Sequence, residues 1–123
     1  MIIEWRNVIK NLFKEATKQD SYYQRADKEA KYPYSVFDIR RIGCDNGIGK
    51  YVLEVNCWDH YDTNSRVVTM MEDIEKAVHK QHIMTENGSM IIYKGNWDPV
   101  EDNDKDIKRV REQFEMQVVG RSL

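Results

Sequence analysis

The amino-acid sequence predicts an α+β fold in which two amphipathic helices pack on a four-stranded, mainly antiparallel sheet, in the order helix, strand, strand, helix, strand, strand. Two observations predict this class: apolar residues recur at helical spacing in two segments, and they alternate with polar residues in two others. The length of 123 residues indicates a single domain over residues 1–123. Its 41% hydrophobic residues are enough for one modest core.

The two helices are predicted from their apolar stripes. The stripe of the first helix consists of Ile2, Trp5, Ile9, Leu12, Phe13 and Ala16. The second helix opens near residues 62–65, all of which are possible N-cap residues, and runs to about Lys80. Its stripe consists of Val67, Met71, Ile74 and Val78. We expect both stripes to face the sheet. The sheet residues expected to meet them are Tyr51, Leu53, Val55, Phe114 and Met116.

A long antiparallel hairpin is predicted between the helices. The run YPYSVFDIRRIG, residues 32–43, carries apolar residues on both faces, so we expect cover on both sides or a β-bulge. The run CDNGIG, residues 44–49, is a turn signal because Asn and Gly tolerate positive φ. The run KYVLEVNCWD, residues 50–59, alternates cleanly and predicts the second strand.

This hairpin decides how the two cysteines are interpreted. It places Cys57 near Ser35 and Cys44 near the turn, which is too far apart for a disulfide. We therefore expect two reduced, partly buried thiols.

The C-terminal run DKDIKRVREQFEMQVVG, residues 104–120, is compatible with two structures. Its composition favours a helix, but four apolar residues share one phase of a two-residue repeat. A helix would also leave the predicted strand SMIIYKGNW, residues 89–97, without a sequential partner. We therefore predict a strand over residues 107–119. Glu112 then lies on the apolar face of this strand, which is unusual for a carboxylate. We therefore expect it either near the exposed middle of the strand or buried at a subunit contact.

The charge and hydropathy of the chain indicate neither nucleic-acid binding nor membrane insertion. The chain has 19 basic and 21 acidic residues, a net charge of -2, which gives no general indication of nucleic-acid binding. No stretch approaches the roughly 20 apolar residues of a membrane helix. The N-terminal segment lacks the unbroken apolar core of a signal peptide. We expect a soluble protein that stays in the cytoplasm where it is made, without membrane contact.

Catalytic and metal-binding patterns fail at specific positions. Residues 102–106 have the aspartate spacing of an EF-hand loop, but Ile107 stands where that loop needs Gly, and Gln113 where it needs Glu. His79 and His82 could share a helix face, but two nitrogens do not make a structural zinc site. No nucleophile with a ready base is recognisable. The sequence therefore predicts neither an enzyme nor a cofactor.

The order of these segments resembles the tail-completion, or tail-terminator, proteins of long-tailed bacteriophages and prophages. The resemblance covers most of the chain and rests on the N-terminal helix, YPYSVFDI, LEVNCWD, DTNSRVVTMMEDIEKAV and GNWDPVEDNDKDIKRVREQFEMQV. It departs from the commonest pattern in the linker, residues 20–32, and in the acidic loop that follows Trp97.

The resemblance implies a structural virion protein of the tail or neck, assembled in the cytoplasm of a host bacterium. Such a protein forms a hexameric ring that caps the head-proximal end of the tail tube, ends tube polymerisation and provides the head–tail joining surface. The implied partners are further copies of the chain, the major tail tube protein and the head–tail connector or head-completion protein. DNA would pass through the ring without specific contacts.

Two polar features are expected at a subunit or partner contact. The first is the acidic loop, with Asp98, Glu101, Asp102, Asp104 and Asp106. The second is the polar phase of the last strand, a ladder of Arg109, Arg111, Gln113, Glu115 and Gln117. We expect Arg109 and Arg111 to meet the acidic loop of an adjacent subunit.

Two alternatives remain open. One is a head-completion or neck connector protein, which also forms rings. The other is a small sheet-based nucleic-acid-binding module that stacks bases on aromatic side chains. The aromatic residues are scattered among acidic ones in the sequence, which favours core and interface roles for them.

Overall fold

The computed structural model describes residues 2–86 and 88–120, which form two helices and a curled, mixed sheet of seven strands. Helix α1 spans Ile2–Thr17 and helix α2 spans Ser65–Val78. The strands are β1 (Ser21–Tyr23), β2 (Tyr34–Asp45), β3 (Ile48–His60), β4 (His82–Thr85), β5 (Gly88–Tyr93), β6 (Trp97–Pro99) and β7 (Ile107–Gly120). No helix within these residues is both long and apolar enough to cross a membrane.

The predicted α+β class with two helices is confirmed, but the predicted number of four strands is wrong. The strand order is β1-β2-β3-β7-β5-β4, and β6 pairs with β7 beside this path. β1 runs parallel to β2, while the other pairs are antiparallel. The three strands missed by the sequence pattern, β1, β4 and β6, have only three or four residues each. Such short runs show no recognisable alternation.

The C-terminal segment is a strand, as predicted. β7 lies between β3 and β5, and its pairing with β3 is continuous from Ile107 opposite His60 to Val119 opposite Ile48. Hydrogen bonds from both sides and burial of one face outweigh the helical propensity of its residues, because tertiary context routinely overrides propensity.

The β2–β3 hairpin has the predicted turn and the predicted irregularity. Asn46 and Gly47 both have positive φ (51° and 79°), which suits a two-residue turn between antiparallel strands. The register shifts between Arg41 and Gly43, so β2 contains the β-bulge that its mixed faces predicted. The peptide bond between Tyr32 and Pro33, just before β2, is cis.

The cysteines lie where the hairpin predicted them, although their exposure differs. Cys57 is opposite Ser35, Cys44 is opposite Gly49, and both thiols are free. Cys57 is fully buried and Cys44 is exposed, so the expectation of two partly buried thiols is wrong. Burial raises the pKa of the Cys57 thiol, which keeps it protonated.

The core lies between the two helices and the face of the sheet that they cover. Most of the predicted contacts are in it, including Trp5, Ile9, Met71, Ile74 and Val78 from the helices; Leu12 is partly buried at its border and Ala16 is half-buried. The sheet side includes Tyr51, Leu53, Val55, Phe114 and Met116. Trp5 packs edge-on against Tyr51 at 5.0 Å between ring centroids. The side chain of Ile2 and the predicted turn residue Asn87 lie outside the described residues.

The ends of α2 are held by specific polar contacts. Asn64 occupies the N-cap position without a side-chain cap hydrogen bond. Instead, Arg66 in the first turn makes two hydrogen bonds, of 2.7 and 2.8 Å, to the buried carboxylate of Asp59 on β3. α2 ends at Val78, two residues before the predicted end, and Nδ1 of His79 accepts a hydrogen bond from the Lys94 N–H (3.0 Å). His79 therefore serves a structural contact instead of pairing with His82.

Candidate functional site

The predicted ladder lies on the outer face of the sheet, which we define as the face turned away from the helices. Residues of β7 alternate between the core and this outer face along the strand. Gln113 and Glu115 are exposed, while Arg109, Arg111 and Gln117 are half-buried. The two-residue period predicted this placement, because successive side chains of a strand point to opposite faces. The ladder's role in a subunit or partner contact remains a prediction.

The two arginines of the ladder have partners within their own chain. The Nε–H of Arg109 donates to Oδ1 of Asn56 (2.9 Å), and its guanidinium lies 4.6 Å from the ring centroid of Trp58. Arg111 forms an ion pair with Asp98 (3.5 Å), which is opposite it in the β6–β7 pairing. Asp98 and Arg111, both predicted interface residues, are thus paired with each other within one subunit. Contact of these arginines with an adjacent subunit's acidic loop remains a prediction.

In the part of the acidic loop that follows β6, residues 100–106, regularly spaced aspartates form local turns. The N–H of Asp104 donates to Oδ1 of Asp102 (3.0 Å), and the N–H of Asp106 donates to Oδ1 of Asp104 (2.9 Å). Such side-chain-to-backbone bonds two residues apart are typical of Asx turns. The carbonyl of Asp106 accepts a bond from the Tyr61 N–H (2.8 Å), which attaches the loop to the end of β3.

Possible metal ligands also meet at this loop. Ligand atoms of His60, Asp104 and Asp106 lie within 4.8 Å of one another, and all three residues are exposed. Exposed acidic groups commonly gather in this way without binding a cation, and sequence reasoning had not associated His60 with them. The trio is a surface feature of the loop.

A groove of about 600 Å³ lies between the acidic loop and the start of β7. Its apolar lining comes from Pro99, Val100 and Ile107. Its polar lining includes Asn64, Glu101, Asp102, Asn103, Asp104, Lys105, Lys108 and Arg109. Nζ of Lys108 donates to the carbonyl of Lys105. The groove therefore combines three apolar residues, which we call the apolar floor, with three carboxylates and three cations.

An aromatic patch adjoins this groove on the outer face. Tyr32 stacks on Tyr34 at 5.2 Å and lies 6.0 Å from His60, measured between ring centroids. Trp58 is opposite Tyr34 in the β2–β3 pairing and carries Arg109 on its ring. Although the aromatic residues are scattered in the sequence, the pairing of β2 with β3 brings Tyr34 and Trp58 side by side. Core and interface roles for the aromatic residues remain a prediction.

Glu112 is buried within the subunit, which differs from both of its predicted locations. Only 1% of its surface is exposed; Oε2 accepts a hydrogen bond from the Gly95 N–H (3.0 Å), and Oε1 has no hydrogen-bond partner among the described residues. Burial, together with the carboxyl group of Glu75, raises the pKa of Glu112 to about 8, against the opposing effects of the Gly95 N–H and Lys94. The carboxyl group is therefore largely protonated at neutral pH.

Sequence reasoning missed the exposed end of the β2–β3 hairpin, residues 40–47. All of these residues are exposed except Gly43, which is half-buried. Arg40 and Arg41 form no ion pair within the described residues, and Ile42 is 58% exposed. The sequence feature that could have revealed this surface is the run Arg40-Arg41-Ile42, which breaks the apolar alternation of the strand before the turn.

Comparison with known proteins identifies the fold. No family model matches the chain, and no curated protein matches its sequence. A chain from the virion of a native gene transfer agent (GTA) particle superposes with a TM-score of 0.70 and 10% identity, covering 88% of this chain and 84% of that chain. A second solved protein superposes with a TM-score of 0.65 and 11% identity, covering 94% of this chain and 91% of its own. At these identities, the comparison demonstrates a shared fold.

Proposed function

We propose that this chain is a structural protein of a phage-like virion, and that its specific role is that of a tail terminator. A hexameric ring of it would cap the head-proximal end of the tail tube, stop addition of the major tail tube protein and present the surface that joins the head. The observation that carries the proposal is the shared fold with a chain of the gene transfer agent virion over 88% of this chain. The resemblance of the sequence segments to tail terminators supports it.

The surfaces of the subunit suit assembly. The open sheet ends in two edge strands, β1 and β4, whose outer backbone groups face no neighbouring strand. Closure into a ring covers such edges and limits uncontrolled association. The acidic loop and the ladder Arg109–Gln117 supply charged and hydrogen-bonding groups on the outer face, which becomes either the wall of the channel through which DNA passes or a contact with a neighbour. This role requires binding surfaces and no catalytic group.

Deletion of the gene from the genetic element that encodes it tests the role. Loss of a tail terminator should yield tail tubes of irregular, excessive length and heads without joined tails, as seen by electron microscopy. Supplying the chain in trans should restore normal length. Tubes of normal length beside unjoined heads would instead identify a head-completion or neck connector protein, and particles of normal structure would overturn both roles.

The ring itself is tested by the copy number. Native mass spectrometry of the chain bound to tail tubes should give six copies in each cap. A ring that closes only on the tube explains a monomer in solution. A monomer that also remains single in the presence of tubes would contradict the ring.

The aromatic patch is the observation that favours a nucleic-acid-binding alternative. Base stacking on Tyr32, Tyr34 or Trp58 would bind single strands without sequence preference. The neighbouring carboxylates of residues 101–106 oppose this function because they repel phosphates. Fluorescence anisotropy with a labelled single-stranded oligonucleotide tests the nucleic-acid-binding alternative. Binding that weakens steeply with salt and is lost in Trp58→Ala would favour the alternative; absence of binding at low salt would exclude it.

A further inference from the structure

The exposed end of the β2–β3 hairpin carries two cations without an ion-pair partner among the described residues. Arg40 and Arg41 are exposed and form no ion pair within the described residues, and Asp45 is the one carboxylate of residues 40–47. Ile42 lies at the β-bulge, where the pairing register passes from Arg41 to Gly43, and it is 58% exposed. The hairpin end therefore presents one exposed apolar side chain directly beside two exposed arginines.

The groove beside the acidic loop has the complementary chemistry. Residues 101–106 carry four carboxylates against the single ammonium group of Lys105. The groove is also lined by Lys108 and Arg109, but these cations already contact the Lys105 carbonyl, and Asn56 and Trp58, respectively. The apolar floor formed by Pro99, Val100 and Ile107 lies next to them, in a volume of about 600 Å³. This volume is within the range of roughly 300–1,000 Å³ that is usual for binding pockets. It can receive an isoleucine side chain together with the aliphatic part of an arginine.

These two surfaces cannot meet within one subunit. Arg41 is opposite Tyr51, near one end of β3, and the acidic loop joins β3 beyond His60 at the other end. Tyr51 and His60 are nine positions apart along β3, which corresponds to roughly 30 Å. The complement of each surface must therefore come from another molecule.

The arginines of the ladder are weaker candidates for the acidic loop. Arg109 is held by Asn56 and the ring of Trp58, and Arg111 pairs with Asp98 in its own chain. Moving either one to a neighbour would break an existing contact. Within the part of the chain that the structure describes, the guanidinium groups of Arg40 and Arg41 have no such contact to lose.

We propose that the hairpin end of one copy of this chain docks into the groove of the next copy. Ile42 packs on the apolar floor, and Arg40 and Arg41 pair with the carboxylates of residues 101–106. Since the two surfaces differ, the contact is heterologous, and it produces a closed ring when successive rotations sum to a full turn. The inference rests on the proposed function, because it assigns the surfaces by which the tail-terminator ring would close.

Charge exchange tests this contact. The hairpin variant Arg40→Glu/Arg41→Glu and the loop variant Glu101→Lys/Asp102→Lys should each remain monomeric by native mass spectrometry under low-salt conditions in which the unmodified chain assembles. An equal mixture of the two should regain full-size assemblies with both variants in equal number, because each altered surface then finds an opposite charge only on the other variant. A single chain with all four substitutions should also assemble.

The matched control is Lys10→Glu/Lys76→Glu, which makes the same charge change on exposed helix positions and should assemble normally. Ile42→Ser should weaken assembly about tenfold or more, the expected effect of losing one buried isoleucine. Normal assembly of the hairpin and loop variants would overturn the contact. So would loss of assembly in Arg109→Glu/Arg111→Glu alone, or an unmodified chain that stays monomeric at millimolar concentration even when tail tubes are present.

The outcomes separate this inference from the proposed function. If charge exchange restores assembly but deletion of the gene leaves tails unaltered, the contact is correct and the tail-terminator role is wrong. If deletion produces overlong tails but the hairpin and loop variants assemble like the unmodified chain, the role is correct and the contact is wrong.

Discussion

Glu112 shows how far one residue departs from its ordinary chemistry when the fold encloses it. Its carboxyl group is buried against Glu75 of α2, Lys94 and Gly95 of the β5–β6 connection, and Cys57 of β3. Its pKa is about 8 in the folded chain, whereas the pKa of an ordinary glutamate is 4.5. Glu112 therefore keeps its proton at pH values at which an ordinary glutamate has lost it. Between these two values the folded state holds more protons than the unfolded state.

This difference predicts how stability depends on pH. The contribution of Glu112 is fully present below the ordinary glutamate pKa and is lost as pH rises towards about 8. The slope from this group is at most about 1.4 kcal/mol per pH unit. Urea titrations from pH 5 to 8 should therefore show a steeper fall for the unmodified chain than for Glu112→Gln. Glu115→Gln, an exposed change on the same strand, is the control. Parallel pH profiles for the chain and Glu112→Gln would contradict the prediction.

A second residue tests the face on which the helices pack. Ile74 is fully buried between α2 and the sheet. Ile74→Ala should lower the free energy of unfolding by about 2–5 kcal/mol, because the deleted groups leave a cavity. Ile42→Ala makes the same chemical change at an exposed position and should cost less than about 0.5 kcal/mol. Equal losses for the two variants would show that the core has been assigned to the wrong face.

At the scale of elements, the β5–β6 connection is held by a close backbone approach. A Cβ built on Gly95 would lie 2.4 Å from the carbonyl oxygen of Gln113 on β7. The same glycine donates its N–H to Glu112. Any side chain here forces the connection away from β7, which weakens the pairing of β6 and the support of the acidic loop that follows it.

Gly95→Ala should therefore lower the unfolding free energy by about 1–3 kcal/mol, the usual cost of overpacking. Gly43→Ala is a matched control, since a Cβ at Gly43 meets nothing within 4 Å. Chemical denaturation of the two variants provides the measurement. If Gly95→Ala unfolds at the same denaturant concentration as Gly43→Ala, the close approach does not limit the connection.

At the scale of the whole molecule, the charged ends of the hairpin should govern association and leave folding almost unchanged. Exposed charges contribute only about 0–1 kcal/mol each to stability. The hairpin variant Arg40→Glu/Arg41→Glu should thus unfold within a few degrees of the unmodified chain while failing to assemble. Assembly of the unmodified chain should weaken as salt is added, because screening acts on exposed pairs. Salt-independent assembly, measured by sedimentation, would indicate an apolar contact instead.

The local patterns of the sequence determined the two helices, the long hairpin and the last strand. Each is long enough for its period to be read, and the stripe of Ile9 and Ile74 or the alternation around Leu53 follows from the geometry of a single element. The Asn46-Gly47 turn was equally local, because those two residue types suit positive φ. The sheet-facing residues were therefore predicted correctly before any pairing was known.

Only the tertiary structure decided the short strands, the aromatic patch and the environment of Glu112. β1, β4 and β6 exist because longer strands offer them hydrogen bonds, and their own three or four residues carry no signal. Trp58 and Arg109 become neighbours through strand pairing across more than fifty positions of sequence, and Tyr32 joins them by stacking on Tyr34. The carboxyl group of Glu112 is buried where α2, β3 and the β5–β6 connection meet β7. These features depend on distances between elements, and the periodicity of one element contains no information about those distances.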